Sequence, residues 1–470
     1  MTGRMSQHAP QQFEHYDLIM LGAGSGNSIV TPALDDWKVA MVEEWVFGGT
    51  CLNRGCIPTK MLVHAADIVQ TVEHSARLGI DARVDDVRWL DIRDRVFGRI
   101  DPIAEGGERY RVGPECPNIT VHQGRGRFVG ERRMQVTGPT GTTFIEADQV
   151  VIAAGARPMV PDIPGLAEVG YHTSDDLMRV DHVPEHLIVL GGGFIACELA
   201  HVFGSFGSTV TFVQRGPHLL RAEDHDVSRT ITELFAKRFD LRLGTAVDRV
   251  ERRGDRVHLT LRDGSVVEGT DILVATGRIP NSDTIDAVAG GLALHPDGRI
   301  VVDETGATSV PGVWALGDIS SPYMLKHVAN HEARTVAHNI LRPDVLRTND
   351  YRAVPHAVFT NPQIAAVGLT EHEARAQGID VMVAVQRYAD VAYGWALEDT
   401  SSFCKLVADR ATRQLVGAHI IGPHASSLIQ QLVQGLRYGT TIDEMARGQY
   451  YIHPALGEVV ENALLQFPAA

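Results

Sequence analysis

Apolar positions in this chain gather into short runs that stop at glycine. The first run, Tyr16-Asp-Leu-Ile-Met-Leu21, meets Gly22, which predicts a buried strand entering a tight turn. The second, Lys38-Val-Ala-Met-Val42, ends at the acidic pair Glu43 and Glu44 and closes a segment of βαβ size. The same grammar returns at His186-Leu-Ile-Val-Leu190, followed by Gly191-Gly192-Gly193, a helix, and Thr209-Val-Thr-Phe-Val213. Two such units imply two dinucleotide sites. Shorter alternating pieces, such as Arg256-Val-His-Leu-Thr-Leu261 before the Asp263-Gly264 turn, read as antiparallel insertions in a nucleotide domain. From about Tyr351 the texture changes, with Pro355, Pro362 and then strands and helices that lack glycine fingerprints. That stretch is expected to form a separate C-terminal domain.

At 470 residues the chain is too long for one core, so several domains are expected. Its 44% apolar and 21% charged residues exclude a mainly disordered chain. The net charge of -15, without a cluster of Lys and Arg, speaks against nucleic acid as a partner. Residues 1–15 are polar and read as a loose tail instead of a secretory signal. No run reaches the roughly 18 apolar residues of a membrane span. Five cysteines in this length make no disulfide scaffold, so a reducing cytoplasm is the expected compartment. There a close cysteine pair is more often catalytic than structural.

The candidate chemistry starts at Gly22-Ala23-Gly24-Ser25-Gly26-Asn27, whose bare backbone lets a pyrophosphate approach a helix N-terminus. Asn27 stands at the third fingerprint position, with glycine one place early at Gly26. Glu43, about 20 residues on at a strand end, can take both ribose hydroxyls. Further along, Gly312-Val-Trp-Ala-Leu-Gly317-Asp318 delivers an aspartate to a glycine turn, where it can hydrogen-bond a ribityl hydroxyl or serve as a helix cap.

The most informative stretch is Gly48-Gly49-Thr50-Cys51-Leu52-Asn53-Arg54-Gly55-Cys56-Ile57-Pro58-Thr59-Lys60. Residues five apart in a regular helix have Cα atoms roughly 8–9 Å apart, beyond the limit of about 7 Å for a disulfide. The backbone must bend between Cys51 and Cys56; Gly55 permits the bend and Pro58 suits the first turn of a following helix. The partial positive charge of a helix N-terminus favours a thiolate there. Cys116, Cys197 and Cys404 are isolated and fit the core.

Together these residues resemble the class I pyridine nucleotide-disulfide oxidoreductases, the family of lipoamide dehydrogenase, glutathione reductase and mercuric reductase. The likeness runs from about Tyr16 to Leu465. It rests on Gly49-Thr-Cys-Leu-Asn-Arg-Gly-Cys-Ile-Pro58, Ala275-Thr-Gly-Arg-Ile-Pro-Asn281, Ala315-Leu-Gly-Asp318, and His453-Pro454 with Glu458. The resemblance implies an α/β fold with two Rossmann-like dinucleotide-binding domains and a C-terminal α+β dimerisation domain. Its expected bounds are an FAD-binding domain at 16–158, an NAD(P)H-binding domain at 159–282, a return segment at 283–350 and an interface domain at 351–470.

By the same resemblance, FAD contacts are expected from Gly22, Gly24, Ser25, Gly26, Glu43, Gly49, Thr50, Lys60, Gly155 and Asp318. Those to NADPH are expected from Gly191, Gly193, Phe194, Arg215, Arg221 and Gly277. The resemblance makes Cys56 the flavin-side, charge-transfer thiol and Cys51 the interchange thiol that attacks substrate. It pairs Lys60 with Glu198 near flavin N5, and puts Phe194 where the family often has a gating tyrosine. His453 with Glu458 resembles the acid/base dyad that protonates the leaving thiol. In the family that histidine is supplied by the other subunit, so a homodimer is implied. No metal is called for.

Gln214, Arg215 and Arg221 follow the second unit's last strand. No acid stands at Gln214 to hold the 2′-hydroxyl of NAD, and two arginines can clamp a 2′-phosphate, so NADPH is the expected reductant. Asn27-Ser-Ile-Val-Thr-Pro-Ala-Leu34 carries no positive charge for the carboxylates of glutathione disulfide, and the last cysteine is Cys404, too early for a C-terminal redox pair. A neutral small disulfide fits. The runs Asp390-Val-Ala-Tyr-Gly-Trp-Ala-Leu-Glu-Asp399 and Met445-Ala-Arg-Gly-Gln-Tyr-Tyr-Ile-His-Pro-Ala455 resemble the branch of the family that reduces the disulfide of an uncharged inositol-glucosamine thiol. A lipoamide dehydrogenase or glutathione-type reductase is the alternative. Arg54 departs from the family, where valine is common, and can either lower a thiol pKa or face solvent.

Overall fold

The structure is a computed structural model that describes residues 12–469. Its chain separates into two compact units, each assembled from three stretches. Among the described residues, one comprises 12–58, 97–157 and 278–350; the other comprises 59–96, 158–277 and 351–469.

The first unit is built on a seven-stranded sheet. Its parallel part places Ile119–Gln123, Val39–Glu43, Glu14–Leu21, Gly141–Ile152 and Val313–Ala315 side by side. Strands Arg125–Gly130 and Arg133–Gly138 continue it antiparallel. The unbroken apolar run of the first strand follows from burial on both faces. Leu18 and Met20 pack with Val39, Met41 and Val151, while Ile19 and Leu21 pack with Ala40, Val42 and Ile152.

Two expectations need correction here. The strand starts at Glu14, so Glu14 and His15 are not tail: they pair in register with Ile145 and Glu146. Residues 1–11 of the expected tail lie outside the described residues. The first glycine turn is also not followed by an α-helix. It leads into two short 3-10 helices, Ser25–Ile29 and Pro32–Leu34, with Val30 and Thr31 extended between them. Pro32 accounts for the break, because its ring disfavours the helical region for Thr31 and it has no N–H to continue a ladder.

In the second unit, Asp240–Leu243, Thr209–Gln214, His186–Leu190 and Asp271–Val274 form a parallel sheet. Its glycine turn feeds a regular helix, Phe194–Ser205, that is buried along most of its length. Strands Val247–Arg253, Arg256–Leu261 and Val266–Gly269 form the expected antiparallel insertion. The C-terminal stretch folds as a five-stranded antiparallel sheet, in the order Pro355–Val358, Ile364–Gly368, Leu415–Ile421, Phe403–Asp409, Val381–Arg387. Leu406 and Ile420 of this sheet pack against Ile429, Leu432, Val459 and Val460 from the helices Ala425–Tyr438 and Gly457–Leu465. Among the described residues, no helix is long and apolar enough to cross a membrane.

Candidate active site

The first glycine turn is shaped by contacts that a side chain would break. Gly22 has φ +101°, and a Cβ there would lie 2.5 Å from the carbonyl oxygen of Ala153. Gly24 and Gly49 bring two loops so close that a Cβ on Gly49 would sit 2.8 Å from the Gly24 Cα. Gly26 supplies the close packing of the third fingerprint glycine, since a Cβ would meet Met20 Sδ at 2.8 Å. Asn27, in the nominal third position, instead accepts from Arg111 at 2.9 Å through its side chain and at 3.1 Å through its carbonyl.

Glu43 ends its strand with one carboxylate oxygen accepting from the Ala23 N–H at 2.7 Å and the other from the Trp45 N–H at 2.9 Å. Burial raises its pKa, against the pull of those N–H groups and of Arg54. Asp318 lies in a 3-10 turn, Gly317–Ile319, after the strand Val313–Ala315. Burial raises its pKa too, and Arg278, 3.9 Å away, opposes the shift. Lys326 donates to Ser25 Oγ at 2.9 Å. Gly155 has φ +67° and open space where a Cβ would be. A cradle of bare backbone with a carboxylate at the strand end and another on the loop opposite fits an adenine dinucleotide such as FAD.

The second turn repeats the geometry with different charge. Gly191 has φ +118°, and a Cβ would lie 2.3 Å from the carbonyl of Ala275, whereas Gly193 opens onto free space at the start of the helix that Phe194 begins. Phe194 itself is exposed. Gly277, φ +143°, lies beyond the strand Asp271–Val274. Where the first unit has Glu43, this one has half-buried Gln214 followed by exposed Arg215. Exposed Arg221 lays its stem over Gly216, where a Cβ would lie 2.6 Å from the Arg221 Cδ. Neither arginine has a carboxylate partner among the described residues. An open helix N-terminus with two uncommitted guanidinium groups fits a phosphorylated dinucleotide.

The cysteine stretch bends as expected, although the turning residue is Arg54. Helix Gly49–Asn53 carries half-buried Cys51 and ends at Arg54, φ −152° and ψ 25°. Cys56, exposed, opens the helix Cys56–Glu73. Gly55 is needed because a Cβ would meet the Thr50 carbonyl oxygen at 2.9 Å. Buried Asn53 fixes the loop by donating to the carbonyls of Phe47 and Gly49 at 2.9 and 3.0 Å. The Arg54 guanidinium stacks 4.1 Å from the Trp45 ring and acts on Glu43.

Lys60, one turn beyond Cys56, donates to both oxygens of buried Glu198 at 2.7 and 2.8 Å. The Phe359 N–H also donates to Glu198, at 2.8 Å, and its ring lies 4.4 Å from the ammonium. His453, exposed, has Nδ1 3.1 Å from Glu458 Oε2. That oxygen is buried and lacks a well-aligned hydrogen bond. The His453–Pro454 peptide is cis.

Sequence reasoning missed Arg111, Asn53, Lys326 and Phe359. Arg111 is 84 residues from Asn27 along the chain, and Phe359 contributes mainly a backbone N–H, which carries no residue signature.

Two nucleotide cradles in one chain, with a cysteine pair at the start of a helix, define a dinucleotide-dependent redox enzyme. Residues 16–333 match the family described as pyridine nucleotide-disulphide oxidoreductase, and residues 354–464 match that family's dimerisation domain. The chain belongs to this family: it is an α/β oxidoreductase that carries the family's dimerisation domain. It is 51% identical to a mycothione reductase of Mycobacterium tuberculosis, over 96% of this chain and 99% of that one. It is 33% identical to a dihydrolipoyl dehydrogenase of Chlamydia muridarum, over 96% and 97%. Among solved structures it resembles an HOCl-induced flavoprotein disulfide reductase from Escherichia coli, at TM-score 0.85 and 26% identity over 96% and 100%.

Proposed function

We propose that the protein is an NADPH-dependent flavoprotein that reduces mycothione to two molecules of mycothiol. The observation that carries the reading is the bent Cys51/Cys56 loop in a chain with one acidic and one basic dinucleotide cradle. In this reading residues 16–158 hold FAD, residues 159–282 hold NADPH, residues 283–350 complete the FAD domain, and residues 351–470 form the homodimer interface.

FAD fits the cradle of Gly22, Gly24, Ser25, Gly26, Glu43, Gly49, Thr50, Gly155 and Asp318, with Lys60 beyond Cys56. NADPH fits Gly191, Gly193, Phe194 and Gly277, with Arg215 and Arg221 on its 2′-phosphate. Bound there, the two cofactors supply two-electron reduction of the Cys51–Cys56 disulfide. The Lys60–Glu198 pair keeps a fixed cation within one turn of Cys56. The Cys51 thiolate then attacks one sulfur of the substrate, forming a mixed disulfide and expelling the first thiol, which takes a proton from His453. The Cys56 thiolate attacks the Cys51 sulfur, re-forms the internal disulfide and expels the second half as a thiolate, which takes a proton from solvent. Glu458 orients the imidazole. We assign His453 of one subunit to the cysteine pair of its partner.

The substrate assignment rests on the 51% identity to mycothione reductase. It is supported by the Asn27–Leu34 segment, which has no basic residue; the cation that reaches it, Arg111, is occupied by oxygens of Asn27 and Val30. A reducing cytoplasm is the compartment in which such a thiol cycle operates.

The test is steady-state turnover of mycothione, glutathione disulfide and lipoamide, each with NADPH and NADH. Mycothione with NADPH is expected to exceed every other pair in kcat/KM by about tenfold or more. Preference for lipoamide with NADH would reject the reading in favour of a lipoamide dehydrogenase.

A further inference from the structure

A buried lysine in the C-terminal sheet stands apart from the chemistry above. Lys405 lies in the strand Phe403–Asp409 and is only 2% exposed. Its ammonium has three donors, and each finds a carboxylate: Asp224 at 2.9 Å, Asp226 at 2.7 Å and Glu371 at 2.8 Å. A fully desolvated cation inside a sheet is costly unless it is paired, so this arrangement holds its partners firmly.

The partners locate what is being held. Asp224 caps the helix His225–Phe235 by accepting from the Asp226 N–H at 3.1 Å, and its other oxygen accepts from the Glu371 N–H at 3.3 Å. One residue earlier, Glu223 accepts from His356 Nε2 at 2.8 Å. His356 belongs to the strand Pro355–Val358 of the same C-terminal sheet. Two strands of that sheet therefore grip residues 223 and 224, which directly follow Arg221 and Ala222.

The other end of the arginine loop is fixed differently. The Gln214 and Gly216 carbonyls accept from the N–H groups of Thr245 and Gly244, at 3.2 and 3.0 Å, within the nucleotide-binding part of the unit. Arg215 is thus anchored within the nucleotide-binding part, whereas Arg221 is held on one side by the Leu220 N–H on the Gly192 carbonyl at 2.7 Å and on the other, through residues 223 and 224, by the antiparallel sheet. Their separation is set by both.

We propose that Lys405, seconded by His356, is a positioning residue for nicotinamide selectivity: it holds the 215–224 loop so that Arg215 and Arg221 meet one 2′-phosphate together. The inference rests on the reading of those two arginines as a phosphate clamp. It makes selectivity for NADPH over NADH depend on a residue of the C-terminal sheet that touches no nucleotide.

The experiment measures kcat and KM for NADPH and NADH in the FAD-loaded enzyme, with saturating disulfide, for Lys405→Met, His356→Ala and Arg215→Ala/Arg221→Ala. Lys405→Met is expected to raise KM for NADPH by about threefold to tenfold, with kcat and the NADH parameters within about twofold of the wild type. His356→Ala shifts the same ratio less, and decides the matter if Lys405→Met does not accumulate as folded flavoprotein. An unchanged NADPH/NADH ratio in these variants, while Arg215→Ala/Arg221→Ala lowers it, overturns the inference. An unchanged ratio in the double arginine variant overturns the clamp itself, and the inference falls with it.

Discussion

The two glycine turns share one backbone design and differ in what stands at the end of the next strand. In the first unit Glu43 sits there, its oxygens held by the N–H groups of Ala23 and Trp45. In the second, Gln214 gives way to Arg215 and Arg221, both exposed and without a carboxylate partner among the described residues. The shared part, Gly22 against Ala153 and Gly191 against Ala275, is bare backbone that a pyrophosphate approaches in the proposed reading. In the proposed reading the part that differs selects the ribose: a carboxylate accepts hydroxyl protons, and guanidinium groups bind a phosphate. Fold geometry makes a nucleotide site, and local charge decides which nucleotide.

The sharpest way to break this comparison is to put a side chain on each turn in the same position. Gly22→Val has to accommodate φ +101° and a Cβ 2.5 Å from a carbonyl oxygen, and is expected to yield colourless protein without activity. Flavin absorbance of the purified variant checks this. Gly191→Val, at φ +118° and 2.3 Å, is expected to keep its flavin while kcat/KM for NADPH falls about 100-fold. If both variants lost flavin equally, the two sites would not be separable.

Removing the distinguishing groups should have smaller and opposite effects. Glu43→Ala is expected to weaken FAD retention by about tenfold to 100-fold, the scale of a charged hydrogen bond, as measured by reconstitution of the apoprotein. The Arg215→Ala/Arg221→Ala variant should keep flavin content and raise KM for NADPH by about tenfold, with NADH turnover unchanged. Smaller still, Gln214→Glu would give the second site the acid of the first, lowering the NADPH/NADH ratio by about threefold to tenfold. A ratio that rose instead would mean that Gln214 is remote from the ribose.

How much of this could be read from the chain follows the same division. The second glycine turn was legible nearly whole, because a strand, three glycines and a regular helix obey local periodicity. In the first, Pro32 broke the expected helix into two 3-10 turns, and Gly26 took the packing role that the pattern assigns to position 27. Lys60 with Glu198 and His453 with Glu458 were nameable through family resemblance, and their short distances agree with it. What lay beyond reach were contacts between distant segments. Arg111 on Asn27, the Phe359 N–H on Glu198 and Arg54 stacked on Trp45 each depend on tertiary placement that no spacing encodes.

The central claim is that both cradles serve one cysteine pair, and thiol labelling tests it most directly. The purified flavoprotein is treated anaerobically with one equivalent of NADPH, or left untreated, then alkylated and mapped by mass spectrometry. The account predicts that Cys51 and Cys56 resist labelling before NADPH and become labelled after it, with Cys116, Cys197 and Cys404 unchanged throughout. Labelling of Cys51 and Cys56 that is the same with and without NADPH would contradict it.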